Sequence, residues 1–311
     1  MKVAIAFFGQ TRRFFELHNY INNSIKNETG TIDIYIATWF DKKYTKNFKL
    51  LKNIKKIIEL DIRILNKISL KLFGNLYPMI LAQSKVLKLI ENSRENYDMI
   101  FLSRMDTLYL NKINFSKLLK NKIYTGKGHT VIRENEKKLV NAHKDKLKLS
   151  NSQNFGYIKI FDKDCTEPFD NLDSKNTKTV CDHFYIGNLK NLIKYNNKIY
   201  NILNLCAKKF SKLSLTKKVI FFFTNFFLKY FYQRKIFFKI YKFINFYIGF
   251  YIPFWVPKSI NRFSYWLPSL QTYSMLSQNI KFKELNVDYI LIRDNDDLNQ
   301  SLSYLQFSPS E

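Results

Sequence analysis

The first 110 residues hold three short apolar runs that each stop on polar residues, with helical spacing between them. KVAIAFFG stops at Gly9 before Gln10, Thr11 and Arg12. IDIYIATWF ends near Thr38, Trp39 and Asp41, and DMIFL runs into Ser103, Arg104, Met105 and Asp106. Runs of this length and β-branched or aromatic content are strands. FFELHNYINNSIK spaces its apolar residues as one helical face, and YPMILAQSKVLKLIENSRENY is an amphipathic helix from about Pro78. A further strand is predicted in KKIIELDIRIL. Strands alternating with helices need right-handed crossovers, so the chain is predicted to be α/β, with a mainly parallel Rossmann-like sheet flanked by helices.

A parallel sheet brings its strand ends to one edge, and ligands bind in the crevice outside the carboxyl ends. The three polar strand ends are therefore predicted to face one crevice. Gly9 would let a ligand approach the backbone. Arg12 carries a planar fork suited to phosphate. Asp106 is a hard oxygen ligand suited to Mg²⁺ or Mn²⁺ on a diphosphate. Neither GxGxxG nor GxxxxGK[ST] occurs, so no dinucleotide fingerprint or P-loop is signalled. The set suggests a nucleotide diphosphate site. Each residue also has a plainer reading. Arg104 and Asp106 can simply satisfy each other, Asp182 can cap a helix, Arg12 can belong to a solvated helix start, Gln83 can be an exposed helix residue and Trp39 can be core.

Further along, residues 126–154 are polar and charged, which predicts a surface excursion, and FGYIKIF reads as a strand. CDHFYIGNLKNLIKY reads as a turn into a helix, SLQTYSMLSQN as a helix and VDYILIR as a strand. Cys165, Cys181 and Cys206 form no CxxC pair, which fits reduced thiols in a cytosolic compartment. His18, His129, His143 and His183 form no zinc-binding cluster. KVAIAFF meets GQTRRF with no cleavage-like end, so no signal peptide is predicted.

The net charge is +26, from 51 Lys and Arg against 25 Asp and Glu. Coding bias, nucleic acid, and an anionic membrane or substrate each account for such an excess. Its distribution narrows the choice. From His183 to Lys283 there are 17 Lys and Arg and no Asp or Glu, within a Phe- and Tyr-rich stretch. No uninterrupted apolar run there reaches the roughly 18 residues of a membrane span. Lys235, Lys239 and Lys242 share one helical face beside a wide aromatic one, the pattern of a helix lying in an anionic membrane surface. Snorkelling lysines on a core helix give the same spacing. No RNP, helix-turn-helix or zinc pattern supports nucleic acid as a partner.

VAIAFFGQTRRF, IDIYIATW, QSKVLKLIE, YDMIFLSRMDTLYL and CDHFYIGNLKNLIKY, in that order, resemble the WavE-type family of bacterial surface-polysaccharide glycosyltransferases. These act in lipopolysaccharide and capsule synthesis and have a GT-A-like fold. The resemblance covers roughly the first 190 residues and returns in LPSLQTYSML and DYILIR. It implies donor contacts from Gly9, Gln10 and Arg12 (GQxR), from Gln83, and from Arg104 and Asp106 (RxD). Asp106 would hold Mn²⁺ or Mg²⁺ on the nucleotide-sugar diphosphate, and Arg104 would add fixed positive charge. Asp182, with Phe184 and Gly187 in a DxF-type motif, would be the base or a sugar ligand. The family's late-helix glutamate is missing, replaced in this stretch by Ser269 and Gln271.

The expected organisation is a catalytic domain over 1–190, a basic aromatic membrane-associating segment over 191–262, and a C-terminal helix and strand over 263–311 that pack back. The expected partners are a nucleotide-sugar donor, a glycan or lipid-linked glycan acceptor and the anionic inner face of the bacterial cytoplasmic membrane, where the protein would sit peripherally. A non-catalytic membrane-associated assembly protein and a basic nucleic-acid-binding protein are the competing expectations.

Overall fold

A computed structural model describes residues 1–25, 30–44, 47–51, 54–127, 180–231, 274–275, 278–285, 287 and 289–292. At 49, 50, 127, 180–182, 206, 224–231, 284 and 290 it describes the backbone alone. The polar excursion beyond Lys127, the FGYIKIF strand, the Lys235, Lys239 and Lys242 face, Ser269 and Gln271 lie outside the described residues, as does most of SLQTYSMLSQN.

The chain runs β1 (Lys2–Gly9), α1 (Phe14–Ile25), β2 (Thr31–Trp39), β3 (Ile54–Leu60), α2 (Lys67–Phe73), α3 (Leu76–Asn92), β4 (Met99–Arg104) and β5 (Thr107–Tyr109). It continues through β6 (Ile123–Lys127), β7 (Val180–Gly187), α4 (Leu189–Ser211), α5 (Leu215–Phe231), β8 (Phe282–Leu285) and β9 (Tyr289–Leu291). Seven strands form one sheet in the order β3-β2-β1-β4-β7-β6-β8, and β5 pairs with β9 in a second, two-stranded sheet. β1, β2, β3 and β4 are parallel neighbours, as predicted, and β8 is parallel to β6. β7 runs antiparallel between β4 and β6.

Both faces of β1 are buried, which is why its apolar run is continuous. Val3, Ile5 and Phe7 pack with Phe14, Leu17, Ile21 and Ile25 of α1. Ala4, Ala6 and Phe8 pack on the other face with Ile80, Ala82, Val86 and Ile90 of α3. The alanines, with Ala37 of β2, leave room for α3 to lie close over the strands. Each large side chain so buried contributes about 1.5–3 kcal/mol. The same cluster continues through Leu192, Tyr195, Ile199, Leu203 and Phe210 of α4 to Phe221 of α5.

Two predictions of local structure change. DMIFLSRMDTLYL is not one strand. β4 ends at Arg104, Met105 and Asp106 turn, and β5 leaves for the second sheet. CDHFYIG is not a turn into a helix but the body of β7, and Asn188 caps α4 by accepting the Asn191 N–H at 2.8 Å. Asp182 is therefore no helix cap. The sequence reading also passed over β6 and β8.

Candidate active site

Strand order reverses beside β1: β2 and β3 lie on one side and β4 on the other. Such a reversal opens a crevice at the carboxyl ends of the two strands flanking it. Gly9 is level with Thr38 of β2, and Phe8 with Arg104 of β4, so the three predicted strand ends do share one edge. β7 starts at this edge too, because it is antiparallel to β4 and pairs Phe184 with Ser103.

The turn after β1 is tightly specified. Gly9 has φ +111°, and a Cβ added there would meet nothing within 4 Å, so glycine serves the backbone angle and leaves open space beside it. Thr38 Oγ1 donates to the Gly9 carbonyl at 2.9 Å and pairs with Thr11 Oγ1 at 2.9 Å. With the Thr38 proton so committed, Thr11 is the donor of that pair. Arg12 has φ +37°, a conformation non-glycine residues rarely take, and its Nε donates to Gln10 Oε1 at 3.1 Å.

The turn aims Arg12 at Asp106. Its Nη1 donates to Asp106 Oδ2 at 2.5 Å. Arg104 grips the same carboxylate with a fork, Nε to Oδ1 at 2.9 Å and Nη2 to Oδ2 at 2.9 Å. The Asp106 side chain is 5% exposed, whereas Arg12 and Arg104 are 25% and 18% exposed. The carboxylate is thus the most deeply buried side chain of the three. Its main chain is held as well: Met105 N–H donates to the Phe8 carbonyl at 3.3 Å, and Ile292 N–H to the Asp106 carbonyl at 2.8 Å. Burial pushes the Asp106 carboxyl up, but Arg104, Arg12 and His183 together outweigh it and hold it below the usual carboxylate range.

His183, set aside for want of a partner histidine, is buried on β7 near enough to act on Asp106, and its Nδ1 lies 3.0 Å from Tyr289 Oη of β9. No local motif announces either residue; only the strand pairings bring them here. Asp182 precedes His183 on β7, and its side chain is outside the described residues. Trp39 packs partly buried against the core. Gln83 is not an exposed helix residue. It is fully buried on α3, and its Oε1 accepts from Asn196 Nδ2 of α4 at 3.1 Å, so its hydrogen bond ties two helices rather than reaching the Arg12–Arg104–Asp106 trio.

The donor set does not suit the divalent ion expected at Asp106. Both carboxylate oxygens already accept from guanidiniums, and a dication would meet two positive charges at that carboxylate. Among the described residues no group of three His, Cys, Asp or Glu converges as a metal site would require.

No family model and no curated protein sequence matches the chain. Similar solved structures include WbbM, a bifunctional glycosyltransferase in apo form, at 9% identity over 63% of this chain and 34% of that one, with a TM-score of 0.35. The galactosyltransferase LgtC, in complex with donor and acceptor sugar analogues, matches at 12% identity over 67% of this chain and 66% of that one, with a TM-score of 0.36. Mouse xyloside xylosyltransferase 1, in apo form, matches at 8% identity over 92% of this chain and 85% of that one, with a TM-score of 0.40. The chain spans about a third of the length of WbbM and just under two thirds of LgtC.

Proposed function

We propose that the chain is a GT-A-type glycosyltransferase of the WavE-like kind, moving a sugar from a nucleoside diphosphate donor to a surface-glycan acceptor. The observation that carries this reading is the pair of guanidiniums, from the ends of β1 and β4, standing over one buried carboxylate at the strand-order reversal. Two guanidiniums against one carboxylate leave the trio with one net positive charge, where an α/β sheet takes its ligand.

In the transfer, the bond between the sugar's anomeric carbon and the diphosphate oxygen breaks. The diphosphate keeps the electron pair, the acceptor hydroxyl oxygen bonds the carbon, and its proton passes to a base. Negative charge grows on the leaving diphosphate, and Arg12 and Arg104 are fixed before it arrives, which is where preorganised charge accelerates a reaction most. The open space at Gly9 admits the donor against the backbone. Asp182, at the start of β7, is the proposed base.

The acceptor is proposed to be lipid-linked and to lie at an anionic membrane surface, the inner face of the bacterial cytoplasmic membrane. Supporting this, Leu215, Val219 and Phe223 are exposed on α5 at a four-residue spacing, beside Lys217 and Lys218. Among the described residues no helix is long and apolar enough to cross a membrane.

The test is a panel of sugar nucleotides offered with glycan acceptors, read by mass spectrometry. One donor is expected to be consumed with transfer, and Arg104→Ala to lower kcat/KM by about a hundredfold or more, the usual effect of losing one preorganised charge donor. A folded protein that binds and consumes none of the panel would overturn the reading.

A further inference from the structure

We infer that this site takes a diphosphate without a divalent ion, with Asp106 acting as counter-ion to Arg12 and Arg104 rather than as a metal ligand. The inference rests on the glycosyltransferase reading above and concerns how its donor is held.

Depth decides the direction from which an anion approaches. Asp106, at 5% exposure, is buried more deeply than the Arg12 and Arg104 side chains, at 25% and 18%, so a diphosphate entering the crevice meets cations first. An ion bridging carboxylate and diphosphate would need the opposite layering, with carboxylate oxygens facing the ligand at about 2.0–2.6 Å from the metal. To reach Asp106 it would also have to displace three charge-assisted hydrogen bonds of 2.5–2.9 Å.

The carboxylate has a task that needs no metal. Two guanidiniums from different strands repel each other, and one buried anion between them fixes both. The Arg104 fork lies along both oxygens, and Arg12 completes the set through its Nη1, with its Nε tied to Gln10. Arg12 is held in this position at φ +37°, a backbone cost that local sequence does not favour and the surrounding contacts maintain. The result is a preformed cationic rim whose charge does not depend on metal supply.

Calorimetric titration of the whole chain with inorganic pyrophosphate and with nucleoside diphosphates, once in EDTA and once in Mn²⁺, tests this. Binding in EDTA at least as tight as in Mn²⁺, which itself sequesters free diphosphate, is expected, together with no stoichiometric Mn²⁺ binding by the protein alone in electron paramagnetic resonance. Arg12→Met, at a partly buried position that a similar apolar stem fills, is expected to raise the diphosphate Kd by about tenfold to a hundredfold in EDTA. Binding that needs Mn²⁺, or Mn²⁺ lost on Asp106→Asn, would overturn the inference and leave the glycosyltransferase reading standing. No diphosphate binding under either condition would overturn both.

Discussion

Asp106 keeps its charge in a place that would ordinarily discharge it. Burial raises its carboxyl, and the two arginines and His183 reverse that. Removing the anion strands two partly buried cations, so Asp106→Asn is expected to cost about 3–5 kcal/mol of stability in urea unfolding at neutral pH. The pH dependence follows from the direction of the shift. A carboxyl held below its ordinary range stabilises the fold fully above about pH 4, where the unfolded chain's carboxyls are ionised, and that contribution drains away as pH falls through the native value. The stability gap between wild type and Asp106→Asn is therefore expected to be constant from neutral pH to mildly acidic pH and to narrow below it. At this scale Gly9, Gln10, Arg12, Arg104 and Asp106 were legible, because strand ends carry their chemistry locally. The Arg104–Asp106 pair was also readable as a local one, but that Arg12 would join it on the same carboxylate was not, since a pairing between residues 94 apart has no local signature.

At the scale of elements, α5 has two apolar sides. Phe221 is buried, with its ring 5.2 Å from that of Phe210 of α4. Leu215, Val219 and Phe223 stay exposed on the other side. An amphipathic helix needs one apolar face for the core, and a second one beside lysines fits an anionic lipid surface. The triple substitution Leu215→Ser, Val219→Ser, Phe223→Ser is expected to abolish co-sedimentation with anionic vesicles while leaving diphosphate affinity unchanged. Retained binding would count against lipid docking. The continuous apolar runs of β1, β2 and β4 and the helical spacing of α1 and α3 were readable because both faces of each strand, and one face of each helix, are buried. β6 and β8 were not, because short strands such as FKEL gain their identity only from the neighbours they pair with. β7 was read as a turn because it opens on the polar pair Asp182 and His183, although Gly187 and Asn188 mark the break before the helix.

Across the whole molecule, the edge that carries Arg12, Arg104 and Asp106 is assembled from segments far apart in the sequence. β8 joins the large sheet through β6, β9 pairs with β5, and Ile292 donates its N–H to the Asp106 carbonyl at 2.8 Å. Ile292→Pro removes that donor and is expected to cost about 1–3 kcal/mol and to weaken diphosphate binding, whereas Ile292→Val, which keeps the N–H and loses only a buried methyl, is expected to cost about 0.5–1.5 kcal/mol and to leave diphosphate binding unchanged. Calorimetry on both variants separates the hydrogen bond from the packing of the side chain. The mainly parallel architecture followed from the order of strands and helices, and a C-terminal strand packing back was expected, but its partner was not, because VDYILIR gives no sign of which strand it will meet. The brace has a bearing on biosynthesis. A chain synthesised through β5 already holds Arg12, Arg104 and Asp106, yet the turn that carries Asp106 still lacks its last main-chain partner. Completion of this edge is thereby deferred until β9 and Ile292 have been made, and until then a nascent chain carries Arg12 and Arg104 without that brace.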